Sequence, residues 1–209
     1  MNEHIRQLLE EMNAIEDELR TALHEQQERI HFRIRGKRVE FEDGIREAHS
    51  RLKTGLLKWF TESRPQNLLS APFIYGMALP LVFLDICVTI YQAACFPLYR
   101  IGKVRRADYI VIDRHHLAYL NVMERLHCEY CGYANGLIAY VREIAARTEQ
   151  YWCPIKHARK VLGTHARYAQ FLDYGDAAGY HAGRLQLRDA LAHEQDTKQQ
   201  EADTRAAGR

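Results

Sequence analysis

Between Leu68 and Tyr99 the chain runs for thirty-two residues, LLSAPFIYGMALPLVFLDICVTIYQAACFPLY, with Asp85 as the only charge. About 18 to 20 consecutive apolar residues already suffice to cross a bilayer, and a soluble helix of such length normally keeps a polar face. The stretch therefore predicts a membrane-embedded segment. A helix buried in a helical core is the alternative, which a chain of 209 residues can just accommodate. Pro80 removes a backbone donor inside the stretch, and Pro72 and Pro97 punctuate its ends. Asp85 sits near the middle, where an ionisable residue marks a functional position by default. The length is generous for one span and short for two, which need roughly forty residues plus a turn. Two topologies follow: one tilted, kinked helix that carries the C-terminal part across, or a re-entrant hairpin broken near Pro80.

The flanks favour the hairpin. Arg51, Lys53, Lys58 and Arg64 precede the stretch and RIGKVRR follows it, so the Lys and Arg count does not orient a single crossing. Between Arg100 and Arg167, Lys and Arg outnumber Asp and Glu 12 to 6, which places a basic block directly after the apolar run. Arg100, Lys103, Arg105 and Arg106 are accordingly the candidate contacts to anionic lipid headgroups. Five cysteines, three of them between 128 and 153, fit reduced thiols or metal ligands better than a disulfide framework. The charged first thirty residues lack the apolar run of a secretory signal. Both observations point to soluble parts in the cytoplasm.

Along the chain, residues 3–28 carry a helical pattern with Ile5, Met12 and Leu19 at one heptad position and Leu8, Ile15 and Ala22 at the other. This predicts a short coiled coil through which a second copy or a protein partner would bind, or a helix that packs against the protein's own later helices, since three heptads are marginal alone. Ile30, Phe32 and Ile34, then Val39 and Phe41, alternate about Gly36-Lys37 and suggest a small β-hairpin over 30–41. Helical periodicity returns from Gly44 to about Glu62. After the apolar run, ADYIVID reads as a strand or extended connector, and Asp113 as the cap of a helix from about Arg114 to Leu126. CEYCGYANG interrupts with two glycines. Further helices are expected from Leu137 to Tyr151, from CPIKHARKVLG with Pro154 in the first turn, and over 164–174. From about Asp176 glycines, glutamines and mixed charge prevail, and beyond Leu191 they predict a disordered tail.

Cys128-Glu-Tyr-Cys131, twenty-one further residues and then Cys153-Pro-Ile-Lys-His157 supply three thiolates and an imidazole. Such a Cys₃His set suits tetrahedral zinc, since C-x2-C and C-x3-H pairs each grip one ion. Geometry raises an objection. A straight helix over Leu137 to Tyr151 rises about 22 Å and would set Cys131 and Cys153 at opposite ends, unless the loop at Gly132 to Gly136 runs back along it. Failing that, Cys153 and His157 would lie beside Asp113, His115 and His116 at the start of a preceding antiparallel helix, an alternative metal group. Weaker signals are the Glu124-x-x-His127 of di-iron bundles with Glu143, a redox pair at the C-x-x-C, and the series Arg142, Arg147, Lys156, Arg159, Lys160 and Arg167 as a phosphate cradle. Tyr130, Tyr133, Tyr140, Tyr151 and Trp152 read as core and interfacial anchors rather than a nucleobase platform, and no nucleic-acid partner is expected.

RRADYIVIDRHHLAYLN through CEYCGYANGLIAYVREIAARTEQYWCPIKHARK resembles an uncharacterised family of small bacterial membrane-associated proteins with a CxYCGYxNG and CPIKH pattern, from the apolar stretch to about Tyr180. The resemblance implies a bacterial origin and a membrane location; the family has no assigned activity, so it adds nothing about substrate. The expected plan is mainly α: an N-terminal helical region over 1–67, a membrane-embedded segment over 68–99, a basic helical metal-binding domain over 100–180 and a charged tail over 181–209. The function expected is a membrane-anchored, zinc-stapled scaffold or interaction module at the bacterial inner membrane. A membrane-surface metalloenzyme acting on a lipid or lipid-linked substrate is the alternative.

Overall fold

The computed structural model describes residues 64–207, residues 45–53, Gly55, two short strands and scattered helical residues between 14 and 25. They are mainly helical. The chain forms two compact units, Met1–Arg64 with Ile112–Glu129 and Pro65–Val111 with Tyr130–Arg209. In the first, β1 (Phe32–Arg35) and β2 (Arg38–Phe41) pair antiparallel, with Phe32 opposite Phe41 and Ile34 opposite Val39. Helix α1 (Ile45–Arg51) follows; Leu56 and Phe60, the end of the helix expected there, lie outside the described residues. So do Ile5, Leu8 and Met12 of the heptad pattern. Ile15 and Leu19 are helical and more than half exposed, at 65% and 56%.

The second unit begins with α2 (Pro65–Gly76), whose first residue is the proline that a helix start accepts most readily. Helix α3 (Ala78–Leu98) follows after Met77 alone. The reversal expected near Pro80 does not occur. Met77 keeps helical angles, φ −65° and ψ −14°, and its carbonyl accepts the Leu81 N–H at 3.2 Å. Pro80 is the third residue of α3, where a backbone N–H has no partner within the helix, so its ring costs nothing there. Together α2 and α3 make a 34-residue run, the one helix among the described residues long and apolar enough to cross a membrane by length and composition.

At the end of α3 the Ile101 N–H bonds back to Phe96 O at 2.9 Å and the Arg100 N–H to Pro97 O at 3.3 Å, while Arg100 takes a left-handed φ of 55°. This is a Schellman closure, and its usual apolar contact is present as the buried pair Phe96 and Ile101. The chain then returns along α3 as an extended segment, 101–111, with a 3₁₀ turn at Arg106–Asp108 and with Ile101, Val104 and Ile110 buried.

Where two helices and a glycine-rich break were expected, one helix runs through: α4 (Val122–Trp152), of 31 residues. It starts later than the Asp113 reading had it, since Arg114–His116 is only a 3₁₀ turn and Asp113 makes no side-chain cap. The cap is a reciprocal box. Asn121 Oδ1 accepts the Glu124 N–H and Glu124 Oε2 accepts the Asn121 N–H, both at 2.9 Å. Gly136 lies inside the helix because a Cβ there would stand 2.5 Å from Tyr109 O and 3.0 Å from Ile110 Cα. The glycine admits the returning backbone instead of breaking the helix.

CPIKHARKVLG is not helical. Cys153 precedes a proline, which disfavours helical angles, and Ile155 instead forms a parallel bridge with Leu172, secured by Leu172 N–H to Pro154 O and Lys156 N–H to Leu172 O, each 2.8 Å. A 3₁₀ turn at Ala166–Gln170 replaces the helix expected over 164–174. The expected disordered tail is helix α5 (Tyr180–Ala207). It joins the core through Leu191, and the Leu187 carbonyl accepts from Gln150 Nε2 at 3.0 Å. The core gathers Phe96 of α3, Ile101, Val104 and Ile110 of the return, Leu137, Tyr140 and Ile144 of α4, and Leu191 of α5.

Candidate functional site

Helix α3 has two unlike faces. Asp85 and Gln92 stand seven residues apart, two helical turns, and are buried with Phe96 on the side that meets α4. Leu79, Phe83, Ile86 and Ile90 form a stripe about 200° around the helix from them, at 100° per residue. These four are exposed at 78%, 69%, 53% and 63%, and Leu69 and Phe73 of α2 continue the apolar surface at 76% and 79%. The strip is uncovered among the described residues, and contiguous exposed apolar surface of this kind is characteristic of an interaction site.

The inner face is polar at intervals, and each polar group is used. Arg106 grips Asp85 with two bonds, Nη2 to Oδ2 at 2.7 Å and Nε to Oδ1 at 3.3 Å, and the Tyr133 hydroxyl donates to Oδ2 at 3.0 Å. The bond to Asp85 raises the Arg106 pKa although burial opposes it, so the guanidinium stays charged. Burial, then the Asp85 bond, raises the Tyr133 phenol, which therefore remains a donor. Gln92 Nε2 donates to the Tyr140 hydroxyl and to Val104 O, and Gln92 Oε1 accepts the Val104 N–H. Tyr91 and Thr148 share a bond of 3.0 Å. Tyr99 packs against Tyr151 and Trp152, at ring separations of 4.9 and 5.3 Å, so Asp85, Gln92 and Tyr99 meet Tyr133, Tyr140 and Tyr151 in the same order along the two helices. α3 and α4 are thus parallel. The tyrosines singled out in the sequence are the surface of α4 on which the apolar helix lies.

The structure does not bring the Cys₃His set together. Cys131 and Cys153 are twenty-two residues apart with unbroken helix between them, a rise of about 33 Å, and the loop needed to fold back is part of α4. Among the described residues no three His, Cys, Asp or Glu side chains are placed to hold one metal ion. The alternative group Asp113, His115 and His116 was premised on an antiparallel helix pair that the single α4 replaces. His115 Nδ1 instead lies 3.5 Å from Glu129 Oε1, with its ring 3.9 Å from that of His116. His157 gives its backbone N–H to the Tyr168 hydroxyl at 2.6 Å. Glu124 is engaged in the α4 cap and Glu143 with Arg147 and Arg167, which leaves neither as a di-iron ligand.

The basic residues divide in the same way. Arg106 is held by two bonds to Asp85, whereas Arg100 and Arg105 make only exposed ion pairs, with Asp196 at 3.9 Å and Asp108 at 3.7 Å, and Lys103 is exposed. Arg142 donates to the carbonyls of Gly163 and Thr164, Arg147 to Glu143 and Gly102 O, and Lys156 to Asp173. Arg167 bridges Glu143 of α4 and Glu194 of α5 and also reaches Gln150. Burial lowers the Arg167 pKa, but Glu194 and then Glu143 outweigh it and raise the pKa overall. Sequence reading missed Gln92 and the pairing role of Arg106; the seven-residue spacing of Asp85 and Gln92 was the available signal. No family model, curated protein or solved structure matches this chain.

Proposed function

We propose that this protein is a membrane-attached helical scaffold, held on a lipid bilayer by the exposed apolar strip of α2 and α3. The observation that carries the reading is the one-sided exposure of Leu79, Phe83, Ile86 and Ile90, opposite an inner face fastened to α4 by Asp85 and Gln92. A helix that crossed the hydrocarbon as part of this body would take α4 with it, and with α4 the charged groups Arg142 and Glu143. Charge at that depth is costly. The strip suits a helix lying in the interface, with its apolar side toward the acyl chains and its polar side toward the protein. The five unbridged thiols support the cytoplasmic side of the membrane.

Flotation of the purified full chain with phosphatidylcholine vesicles tests the proposal. Wild-type protein is expected to rise with the vesicles. Phe83→Asp/Ile90→Asp is expected to bind at least about a hundredfold more weakly, from roughly 1.5 kcal/mol or more for each buried side chain lost. Its far-ultraviolet circular dichroism should be unchanged, because neither residue touches the core. Wild-type protein that stays with the unbound fraction, or a double variant that floats equally well, overturns the reading.

A further inference from the structure

We propose that Arg100 is a headgroup contact: its guanidinium takes the phosphate of an anionic lipid at the C-terminal end of α3. The inference rests on the membrane-attachment reading above and specifies where and by what chemistry the protein meets the headgroup layer.

The first observation is conformational. Arg100 occupies the left-handed position of the Schellman closure, φ 55°, and is the one non-glycine residue with positive φ among the described residues. Glycine is the usual occupant, because a Cβ in that conformation crowds the following carbonyl. Gly102 is only two residues away, so the backbone device does not by itself explain an arginine. Strain retained at one exposed position is the pattern that marks a functional side chain.

The second observation is the neighbourhood. Leu98 ends the exposed apolar strip at 77% exposure, and Tyr99 next to it packs on Tyr151 and on the half-exposed Trp152. Tyr and Trp concentrate at the level of lipid headgroups, where an apolar body and a polar tip are both satisfied. Arg100 therefore leaves the helix where the apolar surface stops and the aromatic group begins. Its side chain is 75% exposed, and Asp196 approaches only to 3.9 Å, a surface pair of the kind that contributes little. Arg106 is held by Asp85 and Arg188 by the Tyr151 carbonyl and ring, so neither competes for the role. Lys103 is exposed three residues on and adds to the positive field.

A cation at this end also offsets the negative pole of the helix, and two variants separate the roles. Arg100→Gly keeps the left-handed backbone and removes the charge; Arg100→Lys keeps the charge. Full-length proteins are floated with vesicles of phosphatidylcholine alone and of phosphatidylcholine with phosphatidylglycerol. Wild-type protein is expected to prefer the anionic vesicles, Arg100→Gly to lose about fivefold in anionic binding with neutral binding unchanged, and Arg100→Lys to retain most of it. Arg100→Gly should keep or raise its thermal midpoint in detergent, which excludes misfolding as the cause of the loss. Equal anionic binding by Arg100→Gly and wild type overturns the assignment of Arg100 and leaves membrane attachment standing. Wild-type protein that floats with neither vesicle overturns both.

Discussion

Gln92 and Val104 face each other as two paired strands would: Gln92 Oε1 accepts the Val104 N–H at 3.0 Å and Gln92 Nε2 donates to the Val104 carbonyl at 3.3 Å. A side-chain amide on an apolar helix thus satisfies both backbone groups of a buried residue in the returning segment. Arg147 does the same for the Gly102 carbonyl, and Asp85 fixes Arg106 further along. All the polarity of α3 that is buried serves to fasten 101–111 and α4 to one side of the helix. The other side is left free of polar duties, and this is what makes it a continuous apolar surface.

Replacing Gln92 with leucine preserves volume but leaves the Val104 N–H, its carbonyl and the Tyr140 hydroxyl without their partner. Buried groups orphaned in this way cost about 1 to 3 kcal/mol each, so Gln92→Leu should destabilise the protein by at least about 2 kcal/mol. Urea unfolding in detergent measures the loss, and amide exchange at Val104 should accelerate with it. A neutral substitution would mean that water, rather than Gln92, satisfies this segment.

Gly136→Ala tests the close approach of α4 and the return. In an open helix this change gains about 1 kcal/mol, because glycine is the poorer helix former. Here the new methyl meets Tyr109 O and Ile110 Cα, both backbone atoms that yield only if the segment moves. Overpacking of this kind costs about 1 to 3 kcal/mol, so the expected sign is reversed and the thermal midpoint falls. A rise would show that 109–110 does not rest on α4.

The same two positions explain what could and could not be read from the sequence. The apolar run was legible because its signal is local, and so was the alternation that becomes β1 and β2. Which side of the run would be covered was legible only as the spacing of Asp85 and Gln92, since their partners Arg106, Val104 and Tyr140 come from elsewhere in the chain. The two glycines of CEYCGYANG were misleading. A glycine that breaks a helix and one that admits a crossing backbone look alike until Tyr109 and Ile110 are in place. The Asn121-x-x-Glu124 box was a sound local signal for the start of α4 and outweighed Asp113, which lacks an acidic residue three positions on. Helix α5 escaped detection because its hold on the body depends on single residues, Leu191 in the core and Glu194 on Arg167. Its composition otherwise resembles that of a solvated tail.

Continuity of α4 also places Cys131 and Cys153 at a distance from each other. Had 132–136 folded back, Cys131 and Cys153 would share an ion, and chelation would unfold the second unit as it unfolds small zinc domains. About 33 Å of helix sets the two thiols apart in this chain. Cys131→Ser and Cys153→Ser, both at exposed positions, are therefore expected to leave helical content and thermal midpoint within about 0.5 kcal/mol of wild type. A chelator added to purified, reduced protein should leave both unchanged, as read by circular dichroism in detergent. Cooperative loss of helix on chelation, with the two serine variants each reproducing it, would require α4 to open at Gly132 to Gly136 and the two thiols to meet.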